Sequence, residues 1–439
     1  MILDQATLRD LEIFETAGAG PGVFHLFDRT LTSLGSAALR ARFRSPLSDA
    51  ETIRAHHRAQ AFIKEHGLRF FTDEPHVDAV VRYLDSNIQT PRGRNAVGLA
   101  IERGWLWLRY RDVFRELEAG VGATAQLIRA MEGFFDRCDD RGPPPLLDGL
   151  ARRTREVLSD PALRRAVSAR SVSPGYVLGS DRTFRSTHAS QVRALLEVMA
   201  ELDMLFSMRQ SADELGLTYP EVLDSDDFIL DGEGLYHPFV DDPIPNGLRL
   251  VSGETLVFLT GPNAAGKTTY LKTAAIALLL AQTGMAVPAH RLGFVPVDYV
   301  FTSINNQDDL RAGLSYFMAE VRRVKEAAEI LAGGRRALVI FDEVFKGTNV
   351  RDALEASELV IRGFSRAGRS GFIFASHLTE LASTLEGEPA VRFACFDGRI
   401  NEGIASYSYA LREGVSEQRF GLHLLDRERV PELLAQIAE

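Results

Sequence analysis

The nine residues Gly261-Pro262-Asn263-Ala264-Ala265-Gly266-Lys267-Thr268-Thr269 combine two glycines, a lysine and two adjacent hydroxyls at the spacing of a phosphate-binding loop. In such a loop backbone N–H groups wrap the phosphates, the lysine reaches the β and γ phosphates, and a hydroxyl ligates magnesium. Both flanks agree with that chemistry. The apolar run Leu256 to Leu259 precedes the loop as a buried strand, and Tyr270 to Gln282 follows it as an apolar helix whose N-terminus faces the anion. Downstream, Ala337 to Phe341 is an apolar strand that ends in Asp342-Glu343. With a phosphate loop upstream, that pair sets an aspartate in the magnesium shell and a glutamate where it polarises an attacking water. A further apolar run, Ile373 to Ala375, leads into Ser376-His377 and brings a histidine to the C-terminal edge of a strand, where ligands of such sheets sit. These residues predict that the chain binds and hydrolyses ATP, with Lys267, Glu343 and His377 as catalytic groups and Thr268 and Asp342 as the magnesium ligands.

A parallel sheet is needed to carry these groups, and the C-terminal half has its pattern. After a stretch rich in Gly, Pro and Asp between Asp224 and Asn246, strand-like runs alternate with helices to the end of the chain. The strands read as Thr255 to Thr260, Tyr299 to Ser303, Ala337 to Phe341, Gly371 to Ala375 and Val391 to Phe396. From Thr7 to about Leu223 the apolar residues recur at three and four, as in Val113, Leu117 and Val121, which indicates helices. Three consecutive prolines end the stretch Arg141 to Pro145 and mark a turn between two of those helices. The fold class is therefore multidomain: an all-α domain over residues 1–225, followed by an α/β nucleotide-hydrolase domain over residues 226–439.

Composition narrows the function. The formal net charge of −10 excludes a protein that coats nucleic acid by bulk electrostatics, so any DNA contact is local. The 2 cysteines, Cys138 and Cys395, lie far apart and form no zinc-binding pair, as in a reducing compartment. The N-terminus mixes charges into its apolar residues, unlike a signal peptide. The run Ala274 to Ala289 is broken by Gln282 and Pro288 and is too short to span a bilayer. A cytoplasmic location, with association to the nucleoid, and no membrane partner are expected.

The combined motifs resemble the MutS-type ATPases of DNA mismatch repair, a branch of the ABC ATPase superfamily. GPNAAGKTTYLK is similar to the family's GPNxxGKSTYxR, and Asn263 falls where the family's asparagine contacts the γ phosphate. Asp308 to Glu320 resembles DDLxxGxSTFMxEM, whose serine, here Ser315, is offered in trans to a partner's nucleotide. Asp342 to Thr348 is similar to DExxxGT, and Ala375-Ser376-His377 to the family's ATH switch, which makes His377 a sensor of the γ phosphate. Outside the ATPase, Phe27 to Ser36 with Ala200 to Asp203 resembles the family's helical core, Gly234 to Pro238 its GRHP, and Phe420-Gly421-Leu422 its YGL. The resemblance implies a core and lever domain with a reduced clamp and a MutS-type ATPase domain, without the mismatch-reading and connector domains. It also implies ATP and Mg2+ as cofactors, a homodimer joined through the ATPase domain, and a part in mismatch repair or a related recombination process. Double-stranded or branched DNA and repair-pathway proteins are the partners implied.

Two departures fall in the nucleotide pocket. Pro243, beside Ile244, stands where the family stacks a phenylalanine on adenine, and Tyr409 stands where it has a histidine. An aliphatic and a tyrosine can sandwich a base, so Ile244 and Tyr409 are the expected base contacts. Tyr316 replaces a threonine beside Ser315, and Lys346 an arginine, which keeps the charge but loses the fork. The one Phe-x-Glu, Phe114 to Glu116, lies in a helical pattern and reads as core with surface charge rather than a mispair wedge. Between Arg152 and Arg193 a run including Arg153, Arg155, Arg164, Arg165, Arg170, Arg182 and Arg185 is either a phosphate-contacting patch or a solvated helix surface. Trp105, Trp107 and Tyr110 read as helix core or as a base-stacking platform. Competing functional classes are an ABC-type ATPase acting on a non-DNA partner and a nucleotide-dependent assembly factor without significant turnover.

Overall fold

The structure, a computed structural model, describes residues 1–15, 20–70, 74–88, 111–168, 173–304, 316–401, 404–416 and 429–437. The chain forms two compact units that interleave in sequence. One comprises residues 27–42 and 54–213; the other comprises residues 1–26, 43–53 and 214–439.

The first unit is helical. Its two longest helices, Arg111–Asp139 and Ala189–Glu214, present apolar residues at intervals of three and four, so each has a continuous buried stripe. Leu117, Val121, Ile128, Met131 and Phe135 of the first share a core with Leu195, Met199 and Leu202 of the second. Phe114 is buried and Glu116 exposed, as the helical pattern predicts. Arg141 to Pro144 fall between helices Arg111–Asp139 and Pro145–Leu158, and Pro145 opens the second helix, at the position where a proline fits. The Asp203 carboxylate accepts the backbone N–H groups of Leu31 and Thr32 at 3.0 and 2.9 Å and the Thr32 hydroxyl at 2.6 Å. It thereby fixes the start of helix Ser33–Arg44. Burial pushes this carboxyl above its ordinary pKa, against those hydrogen bonds.

The second unit is α/β with two sheets. Its strands are β1 (Glu221–Val222), β2 (Leu230–Leu235), β3 (Asn246–Leu250), β4 (Leu256–Thr260), β5 (Arg291–Phe294), β6 (Tyr299–Ser303), β7 (Ala337–Asp342), β8 (Gly371–Ala375), β9 (Val391–Asn401) and β10 (Ile404–Glu413). The large sheet has the order β10-β9-β4-β8-β7-β6 and the small one β1-β5-β2-β3. In the large sheet β9, β4, β8, β7 and β6 run parallel, and β10 returns antiparallel on the edge. Phe258, Val339, Phe341, Phe372 and Phe374 lie on one face and pack with Ala327 of helix Tyr316–Ala332 and Ile361 and Phe364 of helix Val350–Ser365. The alternate residues Val257, Leu259, Leu338, Ile340 and Ile373 are buried too, which is why these strands read as continuous apolar runs.

The five strands expected in the C-terminal half are all present, β9 and β7 running further than expected. Strands β1, β2, β3, β5 and β10 were not among those expected. The N-terminal segment also joins this unit: Ile2 pairs with Tyr299 at the β6 edge. Asp10 accepts from the Thr302 hydroxyl at 2.7 Å and the Ile304 N–H at 2.9 Å. Among the described residues, no helix is long and apolar enough to cross a membrane.

Candidate functional site

The chemistry-bearing residues come together because β4, β8 and β7 are neighbours and parallel, so the segments leaving their C-terminal ends share one edge of the sheet. From β4 the chain turns at Gly261 and Pro262, forms a single 3₁₀ turn over Asn263–Ala265, and enters helix Lys267–Thr283 through Gly266. Gly261 and Gly266 have φ of 139° and 99°, where a side chain is strained. A Cβ on Gly261 would also fall 2.5 Å from the carbonyl oxygen of Phe396 on β9, so only glycine lets the loop pass there. Ala265 is buried beneath the loop, while Ala264 and Thr269 are exposed on it.

Lys267 folds back across this loop and donates to the Gly261 carbonyl at 2.5 Å. Its ammonium is buried, and that burial lowers its pKa while Glu343 and Asp342 oppose the shift. The Thr268 hydroxyl donates to Asp342 Oδ2 at 2.7 Å. The other oxygen, Oδ1, is buried with no hydrogen-bond partner, and burial raises the pKa of this carboxyl. An orphaned carboxylate oxygen beside a hydroxyl is a donor set that suits a hydrated divalent cation with further oxygen ligands. Among the described residues no group of three or more His, Cys, Asp or Glu could hold a metal alone, so a cation here needs ligands from water or phosphate.

Glu343 follows at the end of β7 with its N–H bonded to the Ala375 carbonyl of β8 at 2.8 Å. Its Oε1 lies 4.0 Å from Lys267 Nζ, and its Oε2 is in contact with Lys346 Nζ. His377 Nδ1 stands 3.9 Å from the same Oε2, beyond hydrogen-bond range, with its ring half exposed. Both Glu343 and Phe345 have positive φ, 54° and 66°. The segment is held from helix Tyr316–Ala332 by the buried Glu320, which accepts from the N–H groups of Lys346 and Gly347 at 3.3 and 3.4 Å. Burial raises the Glu320 pKa, and those backbone donors pull it back.

A cavity of about 500 Å³ opens beside the loop, lined by Ile244, Asn246, Ala264, Gly266, Thr269 and Tyr409 among others. Ile244 and Tyr409, far apart in sequence, thus reach one cavity with the phosphate loop. Ser315, with all of Asp308 to Ser315, lies outside the described residues, as do Trp105, Trp107, Tyr110, Arg170 and Phe420-Gly421-Leu422.

In the helical unit the arginine run is largely neutralised. Arg152, Arg153, Arg155, Arg164 and Arg193 pair with Asp148, Glu201, Asp139, Glu132 and Asp85. Arg185 is no surface cation: its side chain is 3% exposed, bonded to Asp181 at 2.6 Å and to the Ser86 hydroxyl at 2.7 Å. Counting charge along a helix could not distinguish this buried arginine from its solvated neighbours. Two contributors to the site, Asn246 and Glu320, act through backbone contacts; no motif marked Asn246, and Glu320 stood in the Asp308 to Glu320 resemblance with no role attached to it.

Comparison with known proteins finds two family matches and curated relatives. Residues 257–439 match the family model of MutS domain V, and residues 6–78 match that of MutS domain III. The chain is 30% identical over 254 residues to the DNA mismatch repair protein MutS of Brevibacillus brevis, covering 56% of this chain and 29% of that protein. It is 28% identical over 255 residues to the protein of the same name from Bacillus licheniformis, covering 57% and 29%. The match thus spans less than a third of the length of these curated relatives.

Proposed function

Because the chain belongs to the MutS family through its domain III and domain V segments, we propose that it is a Mg2+-dependent ATPase that hydrolyses ATP to ADP and phosphate as a homodimer and acts on DNA. The observation that carries this reading is the convergence of Lys267, Thr268, Asp342 and Glu343 at one sheet edge, against a cavity of about 500 Å³. The helix Lys267–Thr283 directs its N-terminal N–H groups at the loop, where they favour an anion. The Lys267 ammonium, now on the Gly261 carbonyl, is placed to transfer to phosphate oxygens, which offer a charged acceptor in place of a neutral one. Thr268 and Asp342 would hold magnesium, whose charge neutralises phosphate oxygens.

Glu343 is the general base of this reading. It stands between Lys267 and Lys346, and release of Oε2 from Lys346 frees an oxygen to take a proton from an attacking water. His377, 3.9 Å from that oxygen, is the group that reads the γ phosphate. Gly261, Pro262, Asn263, Ala264, Ala265, Gly266 and Thr269 line the phosphates, Ile244 and Tyr409 flank the base, and Ser315 of a second copy completes the site. A symmetric pair of such sites requires a homodimer through the ATPase domain.

The DNA process is mismatch repair or a related transaction on branched DNA. The paired arginines and the net charge of −10 favour a second reading, in which the same ATPase drives a non-DNA partner. Phosphate release measured alone and with homoduplex, mismatched or four-way-junction DNA, at stated salt, tests both. Release that depends on Lys267 and changes with one of these DNAs supports the first reading. Lys267-dependent release that no DNA alters or binds supports the second, and no release at all contradicts both.

A further inference from the structure

The two residues flanking the cavity mouth, Ile244 and Tyr409, sit beside edge strands of different sheets. Ile244 precedes β3, the last strand of the small sheet, and Tyr409 lies on β10, the last strand of the large one. Both are about half exposed, so packing does little to fix them. Tyr409 is also out of the ladder. Tyr407 pairs with Gly398 and Leu411 with Phe396, so Ser408, Tyr409 and Ala410 stand opposite Asp397 alone, and Tyr409 adopts a φ of 53°. Such a bulge re-aims a side chain and leaves backbone groups without their strand partners.

One side chain supplies those partners. Asn246 Oδ1 accepts the Leu411 N–H at 2.7 Å, and Asn246 Nδ2 donates to the Tyr409 carbonyl at 2.9 Å and to the Ile244 carbonyl at 3.0 Å. The carboxamide therefore takes the place of β9 at the bulge and ties both sides of the cavity to one point. That point is itself anchored to the phosphate-loop helix, because the Tyr270 hydroxyl donates to the Gly247 carbonyl at 2.8 Å. The Tyr409 ring reaches the loop: a Cβ on Gly266 would lie 3.4 Å from its Cδ1.

We propose that Asn246 is the positioning residue of the nucleotide-base pocket, its carboxamide holding Ile244 and Tyr409 as opposed walls at a fixed distance from the phosphate loop. This rests on the reading of the cavity as a nucleotide site. Asn246 touches the walls through their backbones; Tyr409 and Ile244 touch the base.

The test compares binding of MgATP with binding of magnesium tripolyphosphate, which offers the same phosphates and no base. Asn246→Ala should weaken ATP binding, and raise the KM for ATP, by about tenfold, the scale of losing two or three hydrogen bonds of modest net worth. Tripolyphosphate affinity should stay within about twofold of wild type, which also reports an intact loop. Asn246→Asp keeps the acceptor for Leu411 and loses the donor, so it should fall between. Tyr409→Ala should show the same ATP-selective loss, and the double variant should lose little more than Asn246→Ala, because that substitution already displaces the wall that Tyr409→Ala removes. Equal loss of ATP and tripolyphosphate, full additivity, or unchanged ATP binding in Asn246→Ala each overturns the proposal. A wild-type chain that binds neither ligand overturns the nucleotide site and this role with it, whereas binding of both with base-independent effects of Asn246 overturns only the role.

Discussion

Glu343 is held in a conformation that ordinary residues avoid, and its neighbour Phe345 is as well. Left-handed φ at two non-glycine residues stores on the order of 1–3 kcal/mol at each, and it persists only where surrounding contacts enforce it. Here the enforcing group is Glu320, whose buried carboxylate receives the N–H groups of Lys346 and Gly347. The hydrogen bonds of Glu320 go to the segment that follows Glu343, so its effect should fall on the placement of Glu343. Glu320→Ala is expected to slow phosphate release by about tenfold to a hundredfold, corresponding to the release of about 1–3 kcal/mol of that strain. ATP affinity should change by no more than about twofold. Steady-state release beside equilibrium ATP binding checks this; equal loss in both would place Glu320 in general stability instead. The motif residues were legible because a phosphate loop is a local pattern. Asn246 was not, and Glu320 appeared only as the last residue of a motif with no role assigned, because what each does lies in hydrogen bonds to backbone groups that sequence alone does not bring near them.

At the level of elements, the tightest fit is in the helical unit. The start of helix Ser33–Arg44 is fixed by Asp203, and Gly35 in its first turn packs directly on that carboxylate. A Cβ on Gly35 would lie 2.1 Å from Asp203 Oδ2, and the carboxylate cannot withdraw without giving up bonds to Leu31 and Thr32. Gly35→Ala should therefore lower unfolding stability by about 1–3 kcal/mol, as overpacking of a closed site does. The urea midpoint of the purified chain checks it, and an unchanged midpoint would contradict the contact. The strands show how far periodicity reaches. β6 and β8 have the bounds expected of them, since each carries an apolar stretch buried along nearly its whole length. β2, β3 and β10 escaped because they are edge or small-sheet strands with glycine or alternating polar residues. The bulge that turns Tyr409 out of β10 is set by pairing with β9 and has no local signature.

For the whole molecule, chain order and compact units differ. Residues 1–26 belong with the sheets because Ile2, Asp4 and Asp10 bond to Tyr299, Arg323 and Thr302, and residues 43–53 because Leu47 exchanges hydrogen bonds with Gln282, contacts between residues far apart in sequence that no window of helical periodicity contains. Both units hold a histidine that titrates low. Burial, with His56 nearby, lowers His57 to about 4, and burial, with Lys272 nearby, lowers His237 to about 4. The unfolded chain then binds more protons than the folded one between about pH 6.5 and 4, so each histidine removes stability as pH falls through that window. Asp203, Glu320 and Asp342, raised by burial, work in the opposite sense. The histidine contribution is isolated by difference: His57→Gln and His237→Gln should each lose less stability than wild type between pH 7 and pH 5, and parallel losses would contradict the assignment. If Glu343 is the base of an ATPase whose loop binds phosphate independently of it, phosphate release by Glu343→Gln measured beside ATP binding shows it. Release should fall by at least about a hundredfold with ATP still bound; undiminished release from a variant that binds ATP would contradict Glu343 as the base.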